Sequence, residues 1–182
     1  LLLSTGAANI KEIKSACSYL KKNGAKNICI MHCTLCYPTL PSDANLSALV
    51  DIKNNFPNTV LGLSDHTLGT AIASSSLHYG VRVIEKHFTI NKKLKKSADH
   101  KISLDPKDLK KLRLDVDEIN SAIGFGKKIV LKCENLTRKF ARRSIFLKNF
   151  KLKGQKLEYD DLIAKRPGAV SYTHLRAHET DS

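Results

Sequence analysis

Two apolar, strand-like segments of this 182-residue chain each run into a histidine: Gly62-Leu-Ser-Asp-His-Thr67 and Val83-Ile-Glu-Lys-His-Phe-Thr-Ile90. Imidazole nitrogen is a common ligand of divalent ions. Neighbouring parallel strands lie about 4.8 Å apart, so His66 and His87 at consecutive strand ends can converge on one ion. The plainer alternative is that each ring caps its strand by hydrogen bonding. Ser64, Asp65, Glu85 and Lys86 alongside favour a polar site. Two nitrogens without a cysteine cage leave the other coordination positions to water or substrate oxygen, which suits Mn²⁺ or Mg²⁺ better than structural zinc. Cys33-Thr-Leu-Cys36 is a C-x-x-C. No second cysteine pair follows, and Tyr37-Pro38 and Pro41 stand where a redox thiol would need a helix N-terminus. Cys33 therefore reads as a packed strand-end thiol. Tyr37, in the same loop, is either a packing lid or a phenol donor beside a sugar, and Asp99-His100 in a later loop could grip hydroxyl groups or be solvated.

Short apolar runs at Leu1 to Ser4, Asn27 to His32, Val60 to Ser64 and Val81 to His87 predict the strands that position these residues, and their near-continuous hydrophobicity suits a parallel sheet. Helical spacing separates them. Asn9 with Glu12 forms a capping-box signature ahead of Ile10, Ile13, Cys17 and Leu20, with Gly24 as the stop. Leu46, Leu49, Val50 and Phe56 predict a second helix, Ala71 to Tyr79 a third closed by Gly80. The fourth begins at Asp105-Pro106 and presents Leu109, Leu112, Val116, Ile119 and Ile123 on one face before Gly124. Every strand ends in polar, reactive residues, the layout of a barrel with its site at the carboxyl ends of its strands. Four strand-helix units are half of eight, so the fold is read as α/β: the second half of a (βα)8 TIM barrel over residues 1–126, a linker over 127–140, and a small β-rich domain over 141–169. Leu1 begins mid-strand without an initiator Met, and the chain is read as the C-terminal part of a longer protein.

The net charge of +14 invites a nucleic-acid reading, but the lysines are scattered over helix faces and loops without aromatic interleaving. No nucleic-acid or membrane partner is expected. The absence of an apolar stretch near twenty residues, and an odd count of five cysteines lying mostly in apolar runs, point to a reducing, cytoplasmic setting. Residues 170–182 resemble a translated sequencing adapter and are set aside as an artefactual tail, His174 and His178 included.

Taken together, Ser4-Thr-Gly6, His32-Cys-Thr-x-x-Tyr-Pro38, Asn45-Leu46, Gly62-Leu-Ser-Asp-His-Thr-Leu-Gly69, Ile84-Glu-Lys-His-Phe-Thr89, Ala98-Asp-His100 and Lys165-Arg-Pro-Gly168 closely resemble the sialic acid synthase family of bacterial nonulosonate synthases. The resemblance implies a (βα)8 barrel followed by an antifreeze-like (SAF) domain. It implies condensation of phosphoenolpyruvate with an N-acylated hexose such as N-acetylmannosamine, giving N-acetylneuraminate and phosphate. Legionaminic or pseudaminic acid synthesis, or a non-catalytic sugar-binding or polysaccharide-assembly role, are the alternatives. By the same resemblance His66 and His87 hold the metal, Mn²⁺ first, with Mg²⁺ or Co²⁺ as alternatives. Ser64 and Thr5 would meet phosphoenolpyruvate, Tyr37 and Asp99 the sugar, and Glu85 is the candidate for tuning the metal-bound water. Arg143, preferred over Arg142, would reach the partner subunit's site in a domain-swapped homodimer, its rigid fork bonding a carbonyl or carboxylate. Leu35 departs from the small or polar residue of many relatives, which bears on the acceptor sugar. A half barrel leaves two sheet edges unpaired, so the chain expressed alone is expected to be inactive and poorly soluble.

Overall fold

The computed structural model describes residues 1–95 and 97–168; the adapter-like tail lies outside them. Local signals start the helices where expected. Asn9 Oδ1 accepts the backbone N–H groups of Lys11 and Glu12, and the Glu12 carboxylate accepts the Asn9 N–H, opening α1 (Ile10–Lys22). These bonds occupy donors that a helix start leaves without partners.

Four parallel strands, β1 (Leu2–Ser4), β2 (Cys29–Cys33), β3 (Val60–Asp65) and β4 (Val81–Lys86), lie side by side in chain order. They alternate with α1, α2 (Ala48–Asn55), α3 (Ala71–Ser75, continued by a 3-10 turn over Ser76–Tyr79) and α4 (Pro106–Ile123). Gly80 ends the third unit at φ 85°, a left-handed conformation that glycine adopts without a Cβ clash. The result is a partial α/β barrel. Its main core joins Ile13 and Cys17 of α1, Leu49 and Ile52 of α2, and Ile30, Leu61, Leu63 and Val81 of the strands. A fully buried aliphatic side chain of this kind contributes roughly 1.5–3 kcal/mol. A smaller cluster of Ala73, Leu104 and Leu112 seats α4. Only part of the apolar face expected of α4 is used: Leu112 is buried, while Leu109 and Ile123 are 46% and 48% exposed. The helix meets the unit mainly through α3 and the loop carrying Leu104.

The strand register carries one irregularity. Leu61 lies opposite Val81, but Gly62 lies opposite Val83, so Arg82 is an extra residue in β4. A bulge of this kind shifts the downstream pairing by one residue. From there on Ser64 faces Glu85 and Asp65 faces Lys86.

The chain divides into two units, Leu1–Phe125 and Gly126 onward. The second contains α5 (Asn135–Ala141) and an antiparallel pair, β5 (Ser144–Leu147) with β6 (Leu162–Lys165). Residues 127–140, read from sequence as a joining stretch, hold a 3-10 turn at Lys132–Glu134 and most of α5. A 3-10 turn, Tyr159–Asp161, leads into β6. Lys151 pairs with Asp161 at 2.7 Å, and that hydrogen bond holds the Asp161 carboxyl below its usual range. None of the described residues of this unit is fully buried. Among the described residues, no helix is long and apolar enough to cross a membrane.

Candidate active site

Alternation along the strands sorts the polar residues at their carboxyl ends onto two faces. Leu61 and Leu63 face the helices as part of the main core, so Asp65 does too, while Ser64 and His66 face the other way. On β4, Ile84 packs towards the helices, which puts Lys86 on that face and Glu85 and His87 opposite. The bulge at Arg82 brings the two sets into step.

On the face away from the helices, the His66 and His87 rings lie 5.2 Å apart between centroids and edge to face at 81°. His66 Nδ1 lies 3.1 Å from the Thr34 carbonyl oxygen. A carbonyl only accepts, so Nδ1 is the donor here, which in the neutral ring leaves the Nε2 lone pair for a metal ion. Both histidine backbones are held: the His66 carbonyl accepts from Thr39 N–H at 3.0 Å, and the His87 carbonyl from Leu104 N–H at 2.8 Å. Among the described residues, no group of three or more His, Cys, Asp or Glu side chains is arranged as a metal cage.

The other expected residues divide. Tyr37 stacks obliquely at 4.2 Å from the His66 ring and 5.7 Å from the His87 ring, with half its surface open to solvent. Ser64 donates its hydroxyl to Glu85 Oε1 at 2.6 Å. Asp99 sits on a 3-10 turn (Ala98–Lys101) with Oδ2 4.0 Å from His87 Nδ1, an ion-pair distance only if the ring is protonated. Cys33 is buried and free, its sulfur 3.9 Å from His66 Nδ1, whereas Cys36 is exposed and free. Thr5 is not brought to this face. It is buried, its hydroxyl donates to the Met31 carbonyl at 2.9 Å, and it lines a cavity of about 570 Å³ between α1 and α2 with His32 and Asn45. That cavity contains neither His66 nor His87. Arg143 is exposed and belongs to the second unit.

Sequence reasoning singled out the histidines and their flanking polar residues but missed a cross-strand pair behind them. Lys86 Nζ lies 3.0 Å from Asp65 Oδ2 and 2.5 Å from the Thr67 carbonyl, with the two charged side chains 4% and 3% exposed. Strict alternation in the two motifs was the available signal. Alternation alone sets Asp65 on the other face from His66 and Lys86 on the other face from His87, while the bulge decides that the two strands meet in step.

The fold agrees with the comparisons to known proteins. Residues 1–128 match the model of the NeuB family, and the chain belongs to that family. It is 41% identical over 169 residues to the N,N'-diacetyllegionaminic acid synthase of Campylobacter jejuni, covering 92% of this chain and 50% of that protein. It is 35% identical over 172 residues to the enzyme of the same name from Legionella pneumophila, covering 92% and 48%. Among solved structures, an N-acetylneuraminic acid synthetase from Leptospira borgpetersenii aligns with a TM-score of 0.67 at 34% identity, over 75% of this chain and 47% of that one. The chain thus spans about half the length of the curated relatives it matches.

Proposed function

We propose that this chain supplies the metal-binding half of the active site of a nonulosonate synthase, which condenses phosphoenolpyruvate with an N-acylated hexose. The observation that carries the reading is the pair of facing imidazoles, one with its Nδ1 already engaged, on the same face as Ser64, Glu85 and Tyr37. The donor set fits an exchangeable divalent ion such as Mn²⁺, held by His66 and His87. A bound ion supplies Lewis acidity at the open-chain sugar's carbonyl oxygen. The chain's own side chains do the rest. Tyr37 and Asp99 orient the sugar, and Ser64, presented by its bond to Glu85, meets the phosphoenolpyruvate end. In the reaction the enolic carbon forms a bond to the aldehyde carbon, water adds at the former enol carbon, and C–O cleavage releases phosphate. Arg143 is proposed to serve the site of a partner subunit.

The acceptor expected from the sequence, N-acetylmannosamine, gives way here to a di-N-acylated hexose leading to a legionaminic-type acid. This is supported by the identities of 41% and 35% to two diacetyllegionaminic acid synthases. The test assays the full-length polypeptide carrying this chain with Mn²⁺, phosphoenolpyruvate and a panel of mono- and di-N-acylated hexoses, following phosphate release. Highest kcat/KM is expected with a diacylated acceptor, and loss of more than a hundredfold in His66→Ala and His87→Ala. Preference for N-acetylmannosamine would reverse the acceptor reading. Unchanged activity and Mn²⁺ affinity in both histidine variants would remove the site.

A further inference from the structure

The buried Asp65–Lys86 pair lies on the opposite face of the sheet from the histidines, so it touches no substrate, yet each member is the chain neighbour of one of them. Its bonds are specific. Lys86 Nζ reaches both Asp65 Oδ2 and the carbonyl of Thr67, the residue after His66. Asp65 in turn accepts the Thr67 N–H at 2.9 Å and the Thr67 hydroxyl at 3.1 Å. One ammonium from β4 therefore ties down the residues on both sides of His66.

Such a tie matters because of the register. Upstream of Arg82, Leu61 pairs with Val81; had that register continued, Lys86 rather than His87 would stand beside His66. The side-chain period of a strand is two, so a slip of one residue turns every side chain to the other face. Gly62 admits the bulged strand: a Cβ there would come within 3.2 Å of the Val83 carbonyl oxygen. The bulge shifts the phase, and a carboxylate facing an ammonium in a dry position rewards only the shifted pairing. A charge buried without its partner is strongly unfavourable, which penalises the alternative register directly.

We infer that Asp65 and Lys86 form a register clamp, positioning residues that hold His66 and His87 on one face at ligating separation. This rests on the metal-site reading above. The test measures Mn²⁺ binding to the full-length polypeptide by electron paramagnetic resonance titration and counts coordinated imidazoles by nitrogen modulation of the spin echo. The wild type is expected to show two imidazoles. The double variant Asp65→Leu/Lys86→Met, which keeps the position filled with apolar groups, should unfold cooperatively but bind Mn²⁺ at least tenfold more weakly, with one imidazole lost. Asp65→Asn, nearly isosteric, should weaken binding threefold or more and serves as the readout if the double variant does not fold. Two retained imidazoles and an affinity within twofold of wild type, in either folded variant, would overturn the clamp. Absence of imidazole modulation in the wild type would instead overturn the metal-site reading on which it stands.

Discussion

Replacing Gly62 by alanine tests the backbone geometry beneath the site. An added Cβ would sit 2.7 Å from Met31 Cγ, 3.1 Å from Cys29 Sγ and 3.2 Å from the Val83 carbonyl oxygen. The first distance is closer than real Cβ contacts allow, so something must move. Met31 is 1% exposed and has nowhere to swing, and Val83 is backbone at the bulge. Overpacking of this kind costs about 1–3 kcal/mol, and the less flexible unfolded chain offsets roughly 0.4–1 kcal/mol of it. A net loss of about 1–2 kcal/mol corresponds to a fall in Tm of roughly 3–10 °C for a unit of this size. Differential scanning calorimetry on Gly62→Ala measures it. Met31→Ala removes the clashing Cγ at a cavity cost of about 2–5 kcal/mol, so the double variant should lose about 1 kcal/mol less than the sum of the singles. Strict additivity, or an unchanged Tm in Gly62→Ala, would refute the steric account.

Two further outcomes follow from charge and burial. The hydrogen bond from Lys92 to Asp108 holds the Asp108 carboxyl below its ordinary value of 3.8 and raises Lys92 above 10.5. Asp108 thus contributes stability above its ordinary value that is lost as pH falls through its lowered one, and Lys92 contributes stability that is lost as pH rises through its raised one. Lys92→Met should lower Tm slightly near neutrality, the pair being partly exposed, and flatten the acid loss; parallel Tm curves down to about pH 2 would contradict the pairing. Under iodoacetamide, Cys36 and Cys133 should react first and buried Cys17, Cys29 and Cys33 last, because burial also pushes the Cys17 and Cys29 thiols above 9.0. Mass spectrometry that found all five labelled at one rate would contradict the buried core.

Much of the first unit was legible because its signals are local. Asn9 and Glu12 carry the start of α1 in their own side chains, and Asp105-Pro106 does the same for α4, where Asp105 and Asp108 form a second capping box. Four apolar runs separated by helical spacing mark a parallel sheet with crossovers, and the four strands lie within two residues of those runs. The exposed half of α4 was not legible, since periodicity marks an apolar face without saying how much of it a neighbour covers. Thr5 follows Ser4 at a strand end, but only the strand's facing sends its hydroxyl to the Met31 carbonyl rather than towards the histidines.

What the sequence determined by itself is the inventory: strand ends bearing His66 and His87, the polar residues around them, and the alternation that gives neighbours opposite faces. Which faces meet depends on how the strands pair in three dimensions. Arg82 is an ordinary residue in the sequence, yet as the extra residue of a bulge it moves Glu85 opposite Ser64 and Lys86 opposite Asp65. Register between strands is a non-local property, set by a close approach at Gly62 and a buried ion pair, and no pattern within either strand records it.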